Sequence, residues 1–146
     1  MNYHQIFLES SVGLFDLSIL MIRIFIGVCF VVHGLGKLGL VGSGTMAGFE
    51  GWLKSMNIPF AGIQARVAML TEIVGGTLLV LGLATRLGAL MVFFVMLVAA
   101  LIGHKGGGYL ITNNPPGREY TINLAAIAVL ILLLGPGSYS LDSLLF

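Results

Sequence analysis

The chain has 146 residues, of which 58% are hydrophobic and only 9% charged; its 7 basic and 6 acidic side chains leave a formal net charge of +1. Soluble domains carry about 25% charged residues, so these few charges cannot cover a water-facing surface, and the solvent for most of the chain is lipid. The near-zero charge excludes a basic nucleic-acid binder, and a lone cysteine, Cys29, excludes an intrachain disulfide, a CxxC pair and a cysteine-based zinc or iron–sulfur site.

Residues 1–16 contain no Lys or Arg but include Glu9 and Asp16, the reverse of a cleavable signal's basic start. Ile6, Phe7, Leu8, Leu14 and Phe15 predict an interfacial segment there. Four apolar runs follow at about 17–38, 61–83, 87–102 and 120–134, the last closed by Gly135-Pro136-Gly137. At ~1.5 Å per residue these runs suit helices crossing a ~30 Å core, and they are too long for barrel strands. The prediction is an all-α, single-domain membrane protein: an antiparallel bundle of four transmembrane helices. Loop 1 mixes glycines with Phe49, Trp52, Leu53 and Met56, which predicts a short interfacial helix anchored by Trp52. Loop 3, from His104 to Arg118, has three consecutive glycines and Pro115-Pro116 and is expected to be irregular. Lys37, Lys54, Lys105 and Arg118 on the loop-1 and loop-3 side outweigh Arg86 on the other. The positive-inside rule then places both loops in the cytoplasm and both termini outside.

Ionisable groups within spans are expensive unless paired or hydrated, so they nominate a site. Arg23, Gly27, Phe30, His33, Gly34 and Lys37 fall within an arc of roughly 120° on the first helix, which must face the bundle. Counting depth from each end brings Glu72 of the second span within roughly one helical turn of Arg23. An Arg23–Glu72 pair is expected, serving either helix packing or chemistry. Together Arg23, His33, Lys37, Glu72 and Glu119 form the candidate intramembrane pocket, with Arg66, His104, Arg118 and Tyr120 as secondary candidates. The alternative for each residue at a helix end is snorkelling to water. Arg86 and Asp142 suggest a surface tie on the opposite side. No metal-ligand spacing exists, and nothing fixes the His33–His104 separation, so neither a metal nor haem is implied.

Three segments carry a family resemblance. The first helix reads Arg23-x3-Gly27-x2-Phe30-x2-His33-Gly34-x2-Lys37-Leu38. The second reads Glu72-x2-Gly75-Gly76-x5-Gly82-Leu83-x-Thr85-Arg86. The end reads Arg118-Glu119-Tyr120, an apolar run, then Gly135-Pro136-Gly137-x-Tyr139-Ser140-Leu141-Asp142. In this order they resemble the DoxX family of small bacterial inner-membrane proteins over roughly residues 17 to 142. The resemblance implies a four-helix bundle tied to oxidoreductase systems. Its relatives include a membrane subunit of a thiosulfate:quinone oxidoreductase, and members associated with superoxide dismutase and a sulfurtransferase. Three functions follow as expectations: a quinone-interacting subunit of a redox complex, a non-catalytic subunit that anchors partners or forms a homo-oligomer, or a small proton or anion transporter acting as an oligomer. No residue is identifiable as catalytic from the sequence.

Overall fold

The computed structural model describes residues 12–146. The interfacial segment expected at the N-terminus lies outside the described residues over 1–11, whereas residues 12–16 already belong to the first helix. The elements are α1 (Val12–Lys37), α2 (Met46–Ser55), α3 (Ala61–Leu81), α4 (Thr85–Val98), a π-helical turn (Ala99–Gly103) that continues α4, α5 (Glu119–Leu134) and α6 (Leu141–Leu145). There is no strand among the described residues. α1, α3 and α4 with its π turn are long and apolar enough to cross a bilayer, and α5 is a shorter apolar helix of 16 residues.

Both faces of these helices are apolar. Ile26, Phe30, Leu79, Val92 and Ala128 are buried inside, while Phe25 and Leu133 stand 75% and 70% exposed on the outside. An apolar exterior wrapped around an apolar core is stable only in lipid. The protein is an integral membrane protein built as a helical bundle. α1 packs on α3, α3 on α4 and α4 on α5, while α5 and α1 meet only narrowly.

Between helices in lipid, close backbone approach replaces hydrophobic burial as the main attraction. The tandem Gly75-Gly76 on α3 provides that approach on two sides. A Cβ on Gly76 would lie 2.6 Å from the Gly27 carbonyl of α1, and one on Gly27 would lie 2.6 Å from the Gly76 carbonyl. On the other side, a Cβ on Gly75 would lie 3.3 Å from the Gly88 carbonyl of α4. Gly34 of α1 meets Ile73 and Met69 of α3, so the two helices run antiparallel.

The end of the bundle that holds α6 is closed by a polar lock. Arg23, 1% exposed, donates from Nε to the Leu79 carbonyl, from Nη1 to the Pro136 carbonyl and from Nη2 to the Tyr139 carbonyl. α3 ends at Gly82, whose φ of +64° is the left-handed conformation glycine adopts without strain. Ala84, at the start of α4, offers no capping side chain. Asp142 supplies the cap from a distance, accepting from the Ala84 N–H at 2.6 Å and the Thr85 N–H at 2.8 Å. Its own N–H donates to the Gly82 carbonyl at 2.8 Å. Asp16 likewise accepts from the Ser138 N–H and hydroxyl. The expected Arg86–Asp142 tie is thus replaced: the orphan amides of α4 are the stronger claim on that carboxylate.

Candidate functional site

The opposite end, toward loops 1 and 3, is hollow rather than locked. A cavity of about 220 Å³ lies there beneath α2, walled by α1, α3, α4 and the start of α5. Its polar groups are Lys37 and His33 from α1, Gln64 and Glu72 from α3, His104 after the π turn, and Tyr120 and Thr121 from α5. Apolar walls come from Val95 and Met96 of α4, Ala99 of the π turn, and Phe49, Trp52 and Leu53 of α2. A largely apolar cavity with a few convergent polar groups is the usual form of a small-molecule site, and this volume falls below the range for drug-sized ligands.

The lysine ammonium of Lys37 contacts both carboxylate oxygens of Glu72, whose side chain is 4% exposed. This is the pair the bundle contains, in place of the expected Arg23–Glu72 pair. The reason is side-chain direction. Helical side chains lean toward their own N-terminus. With α1 and α3 antiparallel, Glu72 leans toward loop 1, where Lys37 leans inward to meet it, and Arg23 leans away toward the far end. The Gly27–Gly76 contact sets Arg23 level with Leu79, whose carbonyl it binds, seven residues or about 10 Å along α3 from Glu72.

His33 and Tyr120 form the second polar pair. His33 Nδ1 lies 2.8 Å from the Cys29 carbonyl. A carbonyl only accepts, so Nδ1 carries the proton; in the neutral ring Nε2 is then bare and accepts from the Tyr120 hydroxyl at 3.0 Å. The two rings also stack, with centroids 6.0 Å apart. The Cys29 Sγ is 3.7 Å from His33 Nδ1 and 3.8 Å from the Tyr120 hydroxyl.

α2 roofs the cavity with no buried residue of its own. The Lys37 ammonium sits 4.8 Å over the Phe49 ring, which stacks on Trp52. Trp52 lies against Gly103, where a Cβ would come within 2.9 Å of the indole. The π turn matters here: its wider winding, closed by the His104 N–H bond to the Ala99 carbonyl at 3.0 Å, brings Ala99, Ile102, Gly103 and His104 all onto the cavity wall. His104 Nδ1 in turn faces the Pro116 carbonyl at 3.2 Å, which ties loop 3 to the rim.

Of the residues nominated from sequence, His33, Lys37, Glu72, His104 and Tyr120 come together around this cavity. Arg23 belongs to the distant lock. Glu119 opens α5 as expected, but its carboxylate accepts from the Ile111 N–H at 3.2 Å and braces loop 3 rather than lining the cavity. The Arg118 carbonyl caps Thr121, and its N–H bonds Gly108 in the same brace. Arg66 donates to the Gly62 carbonyl and faces Glu50, outside the cavity. The hydrogen bond and charge of Lys54, with Arg66 beyond, hold the Glu50 carboxyl below its usual range. Gln64, Thr121 and Phe49 were not nominated. Gln64 and Thr121 are uncharged, and Phe49 fits the apolar pattern of the interfacial helix, so neither composition nor charge marks them as wall residues.

Comparison with known proteins agrees with this architecture. Inner membrane protein YphA of Escherichia coli (strain K12) is 29% identical over 130 residues, covering 85% of this chain and 87% of its own. Inner membrane protein YqjF of the same organism is 29% identical over 130 residues, covering 89% and 93%. A Bacillus subtilis (strain 168) protein named "Putative oxidoreductase CatD" is 29% identical over 133 residues, covering 90% of each chain. No solved structure matches. The DoxX family pattern matches residues 18–105, from early in α1 through the π turn and past His104. With the lysine–glutamate pair and the glycine contacts all inside that stretch, the chain belongs to the DoxX family.

Proposed function

We propose that this protein is a bacterial inner-membrane subunit of a redox system whose cavity receives a quinone headgroup. The observation that carries the reading is the pairing of a Lys37–Glu72 couple with a His33–Tyr120 couple around one apolar cavity of about 220 Å³. A quinone ring is flat, uncharged and carries two opposed carbonyl acceptors. Lys37 donates from one wall of the cavity, with Glu72 as its acceptor partner. The Tyr120 hydroxyl donates from another by turning its single proton from His33 Nε2 to the quinone carbonyl. Glu72 and His33 are the groups that can hold a proton. Reducing a quinone takes two electrons and two protons. In this reading the electrons come from an oxidoreductase partner, and the chain supplies binding and proton transfer from Lys37, Glu72, His33 and Tyr120. Two relatives are named as inner membrane proteins and one as an oxidoreductase of putative standing. The excess of basic residues at loops 1 and 3 supports a cytoplasmic position for this end of the bundle.

Trp52 is the chain's one tryptophan and lines the cavity, so its fluorescence reports occupancy. Titration of the purified protein with tail-free dimethoxy-methylbenzoquinone is expected to give saturable quenching, weakened about tenfold in Tyr120→Phe, or about 1.4 kcal/mol. Quenching that rises linearly without saturation, and is the same in the variant, would sink the reading and leave the chain as an anchoring subunit.

A further inference from the structure

The cavity has a lateral neighbour. A second, apolar cleft of about 290 Å³ lies between α3 and α4, and it shares Gln64, Ala68, Val95 and Val98 with the cavity wall. Beyond those shared residues its walls are Val67, Thr71 and Phe94. Val67 and Phe94 are more than half exposed on the outer surface of the bundle, so the cleft opens to lipid rather than to water.

Its shape follows from the packing of the two helices. α3 and α4 are held at backbone contact where Gly75 meets Gly88. Moving from that point toward loops 1 and 3, the lining changes from glycine to Ala68 and Gln64 of α3 and Val95 and Val98 of α4. Ala68 is the smallest side chain in that wall. Thr71 turns its hydroxyl back to the Val67 carbonyl at 2.8 Å, so it presents its methyl group and no free polar atom to the cleft. The cleft is therefore an apolar slot that abuts the polar cavity along Gln64, Ala68, Val95 and Val98 and faces the acyl chains on its other side.

We propose that this α3–α4 slot is the tail subsite for the ligand whose headgroup occupies the cavity: a lipid-soluble molecule that carries a long hydrocarbon chain and reaches the site sideways from the bilayer. The proposal rests on the headgroup reading above and adds the route and the wall. The occupant is argued from continuity. The slot and the cavity share four wall residues, Gln64, Ala68, Val95 and Val98, and these are the side chains between which a chain tethered to a headgroup in the cavity would reach lipid. α2 closes the cavity from the loop side, where Lys37 sits on Phe49 and Trp52 covers Gly103.

Two measurements test it on the full-length protein in nanodiscs. The first uses a benzoquinone with a decyl tail bearing a terminal diazirine. Photolabelling is expected to concentrate on residues 64–71 and 94–98 and to be displaced by excess tail-free dimethoxy-methylbenzoquinone. Labelling spread evenly around the bundle, or placed on the α1–α5 groove at Met21, Phe25 and Leu130, overturns the tail subsite. So does labelling of the slot that the tail-free competitor leaves in place, which would identify an ordinary membrane lipid there. The second measurement uses Thr71→Phe, which fills the slot from a position that does not itself line the cavity. It is expected to weaken the decyl-tailed quinone about tenfold and leave the tail-free quinone within about twofold. Equal affinities of the tailed quinone for wild type and variant overturn the proposal while the headgroup reading stands. Failure of the tail-free quinone to bind wild type sinks the headgroup reading and this proposal with it.

Discussion

At the scale of single residues, the Lys37–Glu72 couple has the largest energetic consequence. A buried ion pair is costly to assemble and costlier to break, because removal of one partner strands the other charge. Glu72→Gln leaves Lys37 facing an apolar wall and is expected to lose roughly 3 kcal/mol of stability. The double variant Lys37→Met with Glu72→Gln is expected to recover most of that loss. Thermal unfolding of Glu72→Gln, Lys37→Met and the double variant in lipid, analysed as a double-mutant cycle, checks it; additive losses would show that the two side chains do not interact. The same residues show what a sequence reveals and what it hides. Glu72 and Lys37 stand out because charges inside spans are rare. Their partnership does not, since depth counting treats a side chain as a point at its Cα. The lean of each side chain toward its own N-terminus is what divides Lys37 from Arg23 as the partner of Glu72.

At the scale of elements, the helices were legible and their contacts were not. Long apolar runs and the Gly135-Pro136 stop mark the spans, and Trp52 among small residues marks α2. Helical Gly-x3-Gly spacing is missing from every span, yet glycine sets the tightest helix crossings through Gly27, Gly75, Gly76 and Gly88. Those glycines pair between helices, so no spacing along one helix announces them. The distances predict an order of sensitivity. Gly76→Ala puts a methyl 2.6 Å from a rigid carbonyl and 2.9 Å from the Val31 amide, and is expected to cost about 1–3 kcal/mol through forced separation of α1 and α3. Gly75→Ala meets its nearest atom, the Met91 Cβ, at 3.2 Å and is expected to cost less. Gly13→Ala, with nothing within 4 Å, should be neutral or slightly stabilising because alanine is the better helix former. Melting temperatures in one detergent rank the three, and a Gly75→Ala loss larger than that of Gly76→Ala would contradict the packing described.

At the scale of the whole molecule, the two ends of the bundle divide the labour. One end holds a cavity with paired polar groups. The other is a lock in which Arg23, Asp142, Asp16 and the 135–142 segment join α1, α3, α4 and α6. Much of the residue pattern that resembled the DoxX family, including Arg23, Gly82, Thr85 and the Gly135-to-Asp142 run, sits at this lock. The pattern is therefore informative about architecture and much less so about chemistry. Arg23→Gln is expected to lower thermal stability while leaving Trp52 quenching by the tail-free quinone within about twofold; a large loss of quenching in a folded variant would join the two ends functionally. The lock also sets a pH response. Burial pushes the Asp142 carboxyl up, but the hydrogen bonds from Thr85 and the Ala84 N–H, with the charge of Arg23, outweigh it and hold the group below its ordinary value. A carboxyl depressed in the folded state stabilises fully above its unfolded pKa of about 4, and that contribution disappears as pH falls through the lower folded value. Between about pH 5 and pH 3 the wild type should lose more melting temperature than Asp142→Asn; parallel losses would show that the cap carries no charge-dependent share.

The tandem glycines have a further consequence for how this protein tolerates change. Adjacent helical residues project about 100° apart, so Gly75 and Gly76 serve two different neighbours from almost the same height on α3. α3 thus acts as a ruler with a backbone contact on each edge, Gly76 against Gly27 and Gly75 against Gly88, and these two contacts set how near α1 and α4 come to it. Mutational drift on the lipid side of α3 leaves those contacts alone. An insertion or deletion of one residue between Gly76 and the Gly82 cap would keep both edges but turn them about 100° against the lock, forcing the bundle to abandon one end to preserve the other.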